Sequence, residues 1–285
     1  MKRFGKIWLT PARLLSVLFI IVSSVSLANE PYKVLRSQVI TLKEPDTGRV
    51  YPLYIKLPRS YSKEPEKRYP VIYLLDAPYS FPIASGATRY PMNSGNMQEA
   101  ILVGIAYEKG AKGASGRVRD FTPVRAPDWK LQTGNAAGHA AFIQNTIFPY
   151  IERTYRTDNK TRTFVGNSLG GLFGAYILFS QPEMFTSYIL GSPSVWFNDE
   201  YLLSLSATAT DAPVKVFIGV GSLETHAAGE KQEMVAGAKQ LVNKIREIPG
   251  ANMTVKLHII EGARHSTAFP TTLIQGLDWI YSQSR

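Results

Sequence analysis

The residues best suited to chemistry in this sequence lie in a Gly-x-Ser-x-Gly pattern. Residues 166–170, Gly-Asn-Ser-Leu-Gly, have the spacing of a nucleophile elbow, a sharp turn that holds a serine hydroxyl above a sheet. The apolar run that ends at Val165 predicts a buried strand before the turn, and Leu169 to Phe179 predicts a helix after it. Glycine at both ends of the pattern lets the strand and the helix approach each other closely. This context favours Ser168 as a catalytic nucleophile over a solvated serine in an ordinary strand-to-helix turn.

A serine hydroxyl needs a base, and the chain has four histidines from which to choose. His265 lies in the loop between the last predicted strand and the last predicted helix, at the sheet edge where Ser168 is expected. His226 also lies in a loop after a predicted strand, close to an acidic residue, and is an alternative base. His139 at the start of a predicted helix and His258 inside a predicted strand are poorly placed to reach a hydroxyl at about 2.6 to 3.2 Å. The spacing therefore favours His265.

The third member of such a site is a carboxylate that orients the imidazole and stabilises its protonated form. We expect it in the loop after the strand that precedes the histidine's strand, and Glu224 is the one carboxylate in that loop, residues 221–226. The chain order Ser168, Glu224, His265 is that of α/β hydrolases. Glu230 is the alternative acid, and a surface or helix-capping role is the alternative for Glu224.

The oxyanion of an acyl-transfer intermediate needs N–H donors near the nucleophile. The Leu169 N–H, at the positive end of the predicted helix, is the first. The second should come from the loop after the predicted strand 69–75, where Pro78 has no N–H to offer. Ala77 and Tyr79 remain, and we favour Tyr79.

These residues require an α/β fold that brings strand ends together. Apolar strands alternate with helical patterns, which predicts an α/β-hydrolase fold with a mostly parallel central sheet and helices on both faces. Residues 32–43 and 49–57 alternate apolar and polar side chains around a turn, which predicts an N-terminal antiparallel hairpin. Residues 76–79 are predicted to be a loop, and residues 80–98 and 108–134 to be irregular. Catalytic loops should lie beyond the carboxyl ends of the parallel strands.

The first 28 residues have the features of a signal peptide. A basic region is followed by an apolar run, Leu14 to Val22, and then by small residues at positions 26 and 28. The apolar run is shorter than the roughly 20 residues that cross a bilayer, so we predict cleavage after Ala28 and no stable membrane insertion, with an uncleaved anchor as the alternative. Residues 29–285 would then form a single catalytic domain, exported to a bacterial periplasm or secreted.

Composition excludes several classes of site. The chain has no cysteine, so thiol nucleophiles, thiolate metal sites and disulfides are ruled out. Four of the 32 basic residues and none of the 22 acidic ones lie in residues 1–28, which leaves the mature chain with a net charge of +6. No dense basic run or aromatic-basic motif suggests a nucleic-acid partner.

Taken together, these motifs resemble the putative-esterase family of α/β hydrolases. This group contains enterobactin and bacillibactin esterases, S-formylglutathione hydrolase, some feruloyl esterases and the mycolyltransferases. The resemblance covers about residues 35 to 282 and is greatest to the siderophore-esterase branch. It is carried by five segments: residues 71–76, 119–123, 166–171, 191–196 and 261–266. The resemblance implies that Ser168 is the nucleophile, His265 the base and Glu224 the acid.

The expected function is a serine esterase that cleaves a small-molecule carboxylic ester through an acyl-enzyme, without a metal or an organic cofactor. Arg119, Trp196 and Asn167 are predicted to bind substrate. An anionic aromatic ester such as a siderophore would suit such a site, and a general carboxylesterase is the alternative. A structural ion pair with Asp120 is the alternative for Arg119. Acyl transfer by the same residues and a non-catalytic binding module are the alternative functions. The sequence leaves the oligomeric state open.

Overall fold

An eight-stranded sheet runs through the part of the chain that the computed structural model describes, residues 31–283. The predicted signal peptide lies outside the described residues. The strand order is β1-β2-β4-β3-β5-β6-β7-β8. The strands are β1 Ser37–Lys43, β2 Val50–Lys56, β3 Tyr69–Leu74, β4 Ile101–Ile105, β5 Thr157–Asn167, β6 Ser187–Gly191, β7 Val214–Gly221 and β8 Met253–Ile260.

Helices connect the strands. The α-helices are α1 Ala77–Ala87, α2 Arg89–Asn93, α3 Ser115–Phe121, α4 Ala136–Phe142, α5 Phe148–Thr154, α6 Leu169–Ser180, α7 Phe197–Ser204, α8 Met234–Arg246 and α9 Ala268–Tyr281. A π-helical turn, Ile143–Ile147, joins α4 to α5, and short 3₁₀ turns occupy Arg59–Ser62, Pro182–Met184 and His226–Ala228. Within the described residues, no helix is long and apolar enough to cross a membrane.

The sheet has the predicted direction of pairing. β1 pairs antiparallel with β2, and β2 pairs antiparallel with β4, whereas every other neighbouring pair is parallel. Glu44 N–H donates to the Arg49 carbonyl at 2.8 Å and closes the hairpin turn. The predicted α/β-hydrolase fold with an N-terminal antiparallel hairpin is therefore confirmed.

Alternating side chains of the buried strands face two hydrophobic cores, one on each face of the sheet. In β3, Val71 and Tyr73 belong to the core beneath α4, α6 and α8, while Ile72 and Leu74 belong to the core beneath α1 and α9. A strand buried on both faces reads as a continuous apolar run, which is why the sequence marks β3 so clearly. The two layers hold the carboxyl ends of β3, β5, β6, β7 and β8 at one edge.

The prediction of irregular structure over residues 76–98 is wrong, because α1 and α2 lie there. Pro78 lies in the first turn of α1, where proline is tolerated, but Pro82 lies in the helix interior, where proline is the poorest helix former. Tertiary packing compensates: a Cβ added at Gly104 of β4 would lie 2.9 Å from Ala77 Cβ and 3.1 Å from the Phe81 ring. This close contact between helix and strand outweighs local propensity. The predicted loop 108–134 likewise contains α3.

Candidate active site

Ser168 lies at the turn between β5 and α6 in a backbone conformation that few non-glycine residues adopt. Its φ is 58° and its ψ is −117°. The Ser168 N–H donates to the Gly191 carbonyl at 2.8 Å, and the Ser168 carbonyl accepts the Leu172 N–H at 2.9 Å. A Cβ at Gly166 would lie only 2.3 Å from the Gly170 carbonyl oxygen, so the turn needs glycine there. This strained turn is the predicted nucleophile elbow.

Glu224 and His265 form a hydrogen-bonded pair from two neighbouring loops. Glu224 follows β7, His265 follows β8, and Glu224 Oε2 lies 2.6 Å from His265 Nδ1. The carboxylate is fully buried, whereas the imidazole is 39% exposed. Because an ionised carboxylate only accepts, Nδ1 carries the proton and donates it to Glu224, which leaves Nε2 free to act as a base.

The other oxygen of Glu224 is held by two further donors. Oε1 accepts the Ser192 hydroxyl at 2.6 Å and the Gly221 N–H at 2.7 Å. Burial alone would raise the pKa of Glu224, but the hydrogen bonds from His265, Ser192 and Gly221 hold that pKa below its usual value. The acid is therefore charged at neutral pH and fixed in position.

Ser168 and His265 line one cleft of about 400 Å³ at the carboxyl edge of the sheet. Glu224 reaches the same cleft, whose other walls come from the segments that follow β6 and β7. Those wall residues are Ser194, Trp196, Gly229, Glu230, Lys231, Gln232 and Met234. The structure thus brings the three predicted triad residues together.

The remaining histidines lie elsewhere. His226 is exposed, and its ring nitrogens face the Lys231 carbonyl and Glu233. His139 is completely buried on α4, and burial lowers its pKa to about 4. His258, inside β8, packs its ring against Phe217. The alternative base His226 is therefore not part of the cleft. The alternative acid Glu230 does line the cleft, but Glu224 is the residue that contacts His265.

The backbone N–H of Tyr79, the predicted second oxyanion donor, already makes a hydrogen bond within the protein. Its N–H donates to the Asp76 carbonyl at 2.9 Å in the first turn of α1, and its side chain packs on Phe269. Because Pro78 has no N–H, Ala77 is the remaining donor of this loop. Leu169, the first predicted donor, is the first residue of α6 and keeps its place beside Ser168 at a helix N-terminus.

An arginine braces the loop after β3 against the elbow. Arg117 of α3 donates from Nε to Asp76 Oδ1 at 2.7 Å, and from Nη2 to Asp76 Oδ2 and to the Asn167 carbonyl, each at 3.0 Å. Asp76 itself has a left-handed backbone, with φ 54°. The brace fixes the start of α1, and hence the Ala77 N–H, relative to Ser168. A lone arginine in an irregular segment gives no sequence signal for this role.

The prediction that Arg119 binds substrate is wrong, and the alternative of a structural ion pair holds. Arg119 is buried and donates from Nη1 to Glu108 and from Nη2 to Asp120, each at 2.7 Å. Its Nη2 also lies 3.2 Å from the Tyr51 hydroxyl. All of these contacts are internal, so the guanidinium is not available to a ligand.

The other two predicted substrate residues differ in outcome. Trp196 lines the cleft and stacks on Trp129, with ring centroids 6.1 Å apart. Asn167 does not line it: its carboxamide oxygen is buried, and a Cβ at Gly191 would lie 2.7 Å from that oxygen. The carboxamide oxygen of Asn167 therefore points at β6 and not into the cleft, and the role of this half-buried residue in substrate binding stays a prediction.

Comparison with known proteins agrees with this architecture. A family model described as "Putative esterase" matches residues 45–280. The ferri-bacillibactin esterase BesA of Bacillus subtilis is 31% identical over 260 residues, covering 85% of this chain and 88% of its own. The siderophore triacetylfusarinine C esterase of Aspergillus fumigatus is 26% identical over 274 residues, covering 85% of this chain and 94% of its own.

A solved structure extends the agreement to the fold. The BES protein from Bacillus cereus superposes with a TM-score of 0.76 at 28% identity, covering 91% of this chain and 99% of its own. The match to the family model spans nearly the whole described region, and the elbow and the Glu224–His265 pair both fall inside it. The chain therefore belongs to the putative esterase family, whose members hydrolyse ester bonds.

Proposed function

We propose that this protein is a serine esterase that cleaves a carboxylic ester through an acyl-enzyme on Ser168. The observation that carries the proposal is the Glu224–His265 pair opening into the same cleft as a serine on a strained elbow. His265 Nε2 takes the Ser168 proton while Oγ attacks the ester carbonyl, and the N–H groups of Leu169 and Ala77 receive the oxyanion. Protonated His265 then protonates the leaving alcohol, and water repeats the sequence to release the acid.

The substrate we propose is a siderophore ester. Two relatives are named for such substrates, ferri-bacillibactin and triacetylfusarinine C. The cleft offers the indole of Trp196 as an apolar wall and the exposed ammonium of Lys231 as a cation for an anionic ligand. Arg117 and Arg119 are engaged in internal ion pairs, and among the described residues that line this cleft Lys231 is the one lysine or arginine.

The site is tested with residues 29–285 and p-nitrophenyl acetate and butyrate, beside Ser168→Ala. We expect turnover in the parent and its loss in the variant. Fluorophosphonate should label residue 168 in the parent, as read by peptide mass spectrometry. Ser180→Ala, at the exposed end of α6, is the matched control, because the Ser180 hydroxyl donates to the Tyr176 carbonyl of its own helix. Equal turnover in parent and Ser168→Ala would refute the proposal.

Substrate class is tested by comparing kcat/KM for ferri-bacillibactin, ferric triacetylfusarinine C and p-nitrophenyl butyrate. We expect at least one siderophore ester to exceed the simple ester. Added alcohol or sugar acceptors should give no transferred acyl product. If simple esters are cleaved but neither siderophore is, the siderophore part of the proposal fails and the serine esterase stands.

We also propose that the protein works in a bacterial periplasm or outside the cell. This proposal rests on the composition of residues 1–28 alone. Fractionation of cells that express the full chain, with N-terminal sequencing of the product, tests it. Mature protein that begins at residue 29 in the periplasmic fraction is the expected result, and full-length protein in the cytoplasm would contradict it.

A further inference from the structure

The loop after β6 is tied directly to the nucleophile. Residues 191–196 contact Ser168 at three points: the Gly191 carbonyl accepts the Ser168 N–H at 2.8 Å, and the Ser194 N–H donates to the Ser168 carbonyl at 3.1 Å. At the third point, the Ser194 hydroxyl oxygen lies 3.3 Å from the Ser168 hydroxyl oxygen. Backbone hydrogen bonds therefore set the separation of the two hydroxyls.

The position of Ser194 is rigid. The residue is only 1% exposed, and it follows Pro193, whose ring fixes its own backbone φ. A Cβ at Gly171 would lie 3.0 Å from both the Gly191 carbonyl oxygen and Pro193 Cα, so α6 packs directly on this loop. The Ser192 N–H anchors the other side through the Gly219 carbonyl of β7 at 2.7 Å. A hydroxyl held this way is preorganised for a hydrogen bond to the nucleophile.

Hydrogen bonding to Ser168 Oγ is distinct from hydrogen bonding to the oxyanion. The N–H groups of Leu169 and Ala77 are assigned to the oxyanion in the proposed mechanism, and not to Oγ. Among the described residues, the Ser194 hydroxyl is the group within hydrogen-bond distance of the Ser168 hydroxyl. Ser194 also lines the cleft that contains Ser168 and His265.

We infer that Ser194 is a further catalytic residue, whose hydroxyl donates a hydrogen bond to Ser168 Oγ as charge develops there. This inference rests on the proposed serine mechanism. In acylation, the Ser168 proton passes to His265 Nε2, an Oγ lone pair forms the bond to carbon, and the carbonyl π electrons move to the oxyanion. The oxyanion then re-forms the carbonyl, and the leaving alcohol departs with the proton from His265. In deacylation, water gives a proton to His265 as its oxygen bonds the acyl carbon; the carbon–Oγ bond then breaks, its electron pair stays on Oγ, and His265 protonates Oγ. Ser194 keeps its own proton throughout and supports Oγ in both steps.

The test is Ser194→Ala in residues 29–285, with two rates measured. One is the second-order rate of fluorophosphonate labelling at Ser168, and the other is the acylation burst with p-nitrophenyl acetate. A hydrogen bond to a charged group is worth roughly a 10- to 100-fold change, so we expect both rates to fall by about that factor with KM nearly unchanged. The inhibition constant of phenylboronic acid, which forms a tetrahedral adduct with a serine, should rise by a similar factor.

Ser187→Ala is the matched control, because Ser187 is a buried serine at the opposite end of β6. It should label and turn over like the parent. Thermal unfolding of each variant separates lost folding from lost chemistry. Should Ser194→Ala unfold, Ser194→Cys keeps a side chain of similar shape with a weaker donor and carries the same expectation. A folded Ser194 variant with parental labelling, burst and boronate inhibition would overturn the inference, whereas an active Ser168→Ala would overturn the serine mechanism itself.

Discussion

The cleft and the interior each combine a histidine with a buried carboxylate: His265 with Glu224 in the cleft, and His139 of α4 with Asp120 of α3 in the interior. Both carboxylates are buried, and for both, burial alone would raise the pKa while hydrogen bonds hold it below its usual value. Glu224 receives its hydrogen bond from an imidazole that is 39% exposed. Asp120 accepts hydrogen bonds from Tyr51, Asn135 and Arg119, and the charged partner among them, Arg119, does not titrate near neutral pH.

The histidines differ even more than the acids. Neither ring nitrogen of His139 has a hydrogen-bond partner among the described residues, and aromatic rings surround it. Burial lowers its pKa to about 4, so it stays neutral. A histidine near a buried acid is thus suited to catalysis only if the two are hydrogen-bonded and the ring reaches a cleft. We call His139, Asp120 and Arg119 the closed cluster, and Glu224 with His265 the open pair. The closed cluster still contributes to the site indirectly, because Arg119 and Asp120 hold α3 in place and α3 contains Arg117, which contacts the elbow.

The largest expected effect comes from breaking the open pair with Glu224→Gln. An amide cannot hold the imidazole in the same tautomer, and the comparable change in a serine protease lowers kcat by about 10⁴-fold. We expect a fall of about 10³- to 10⁴-fold in kcat for p-nitrophenyl butyrate, measured with enzyme that unfolds at nearly the parental temperature. Glu230→Gln, in the same cleft, is the control and should keep its kcat within a few-fold. A Glu224→Gln variant with parental kcat would reduce the site to a Ser168–His265 pair.

A substitution in the closed cluster should lower stability and leave kcat nearly unchanged, the opposite of what we expect for Glu224→Gln. Asp120→Asn leaves Arg119 buried with only Glu108 as its ionic partner, and breaking a buried ion pair costs about 3–5 kcal/mol. We expect the free energy of unfolding in urea to fall by about 3 kcal/mol, while kcat of the folded variant stays within a few-fold of the parent. A large loss of kcat with unchanged stability would mean that Asp120 acts in catalysis.

The sequence predicts the residues of the open pair and of the elbow better than those of the closed cluster, for physical reasons. Ser168, Glu224 and His265 were predictable because chain order and post-strand loops fix the sheet edge where each must lie. Arg119 was misassigned because an arginine has the same sequence signal whether it faces a ligand or a carboxylate. Most strands and the long helices follow from their apolar periodicity. Helix α1 does not, because Pro82 in its interior opposes a helix, and the packing on β4 that stabilises it cannot be read from the local sequence.

His139 offers a pH test of the same contrast. Its folded-state pKa of about 4 lies below the usual 6.5, so the unfolded chain binds a proton first as the pH falls. The native state of the parent should lose about 3 kcal/mol of stability between pH 6.5 and pH 4 through this group. His139→Leu removes that contribution, so the free energy of unfolding of the variant should rise relative to the parent as the pH falls. Urea unfolding at pH 7.5, 5.5 and 4.5 measures the difference, and parallel curves for the two proteins would contradict it.

The smallest effect should come from Ser192→Ala, which removes one donor from the buried Glu224 and leaves His265 and Gly221 in place. Because Ser192 stabilises the charged carboxylate, its loss should raise the pKa of Glu224 towards the usual value. Because the pKa of Glu224 is lower in the folded than in the unfolded chain, ionised Glu224 stabilises the fold at pH values above its unfolded-state pKa of about 4.3. That stabilisation is lost as the pH falls through the folded-state pKa. The variant should therefore be less stable than the parent by about 1.5 kcal/mol at pH 7, with the difference in stability narrowing below pH 4, and kcat should fall by about 10-fold.

Ser204→Ala is the control, because it removes an exposed hydroxyl that donates to the Tyr201 carbonyl. A stability gap that does not change with pH would assign Ser192 to packing alone.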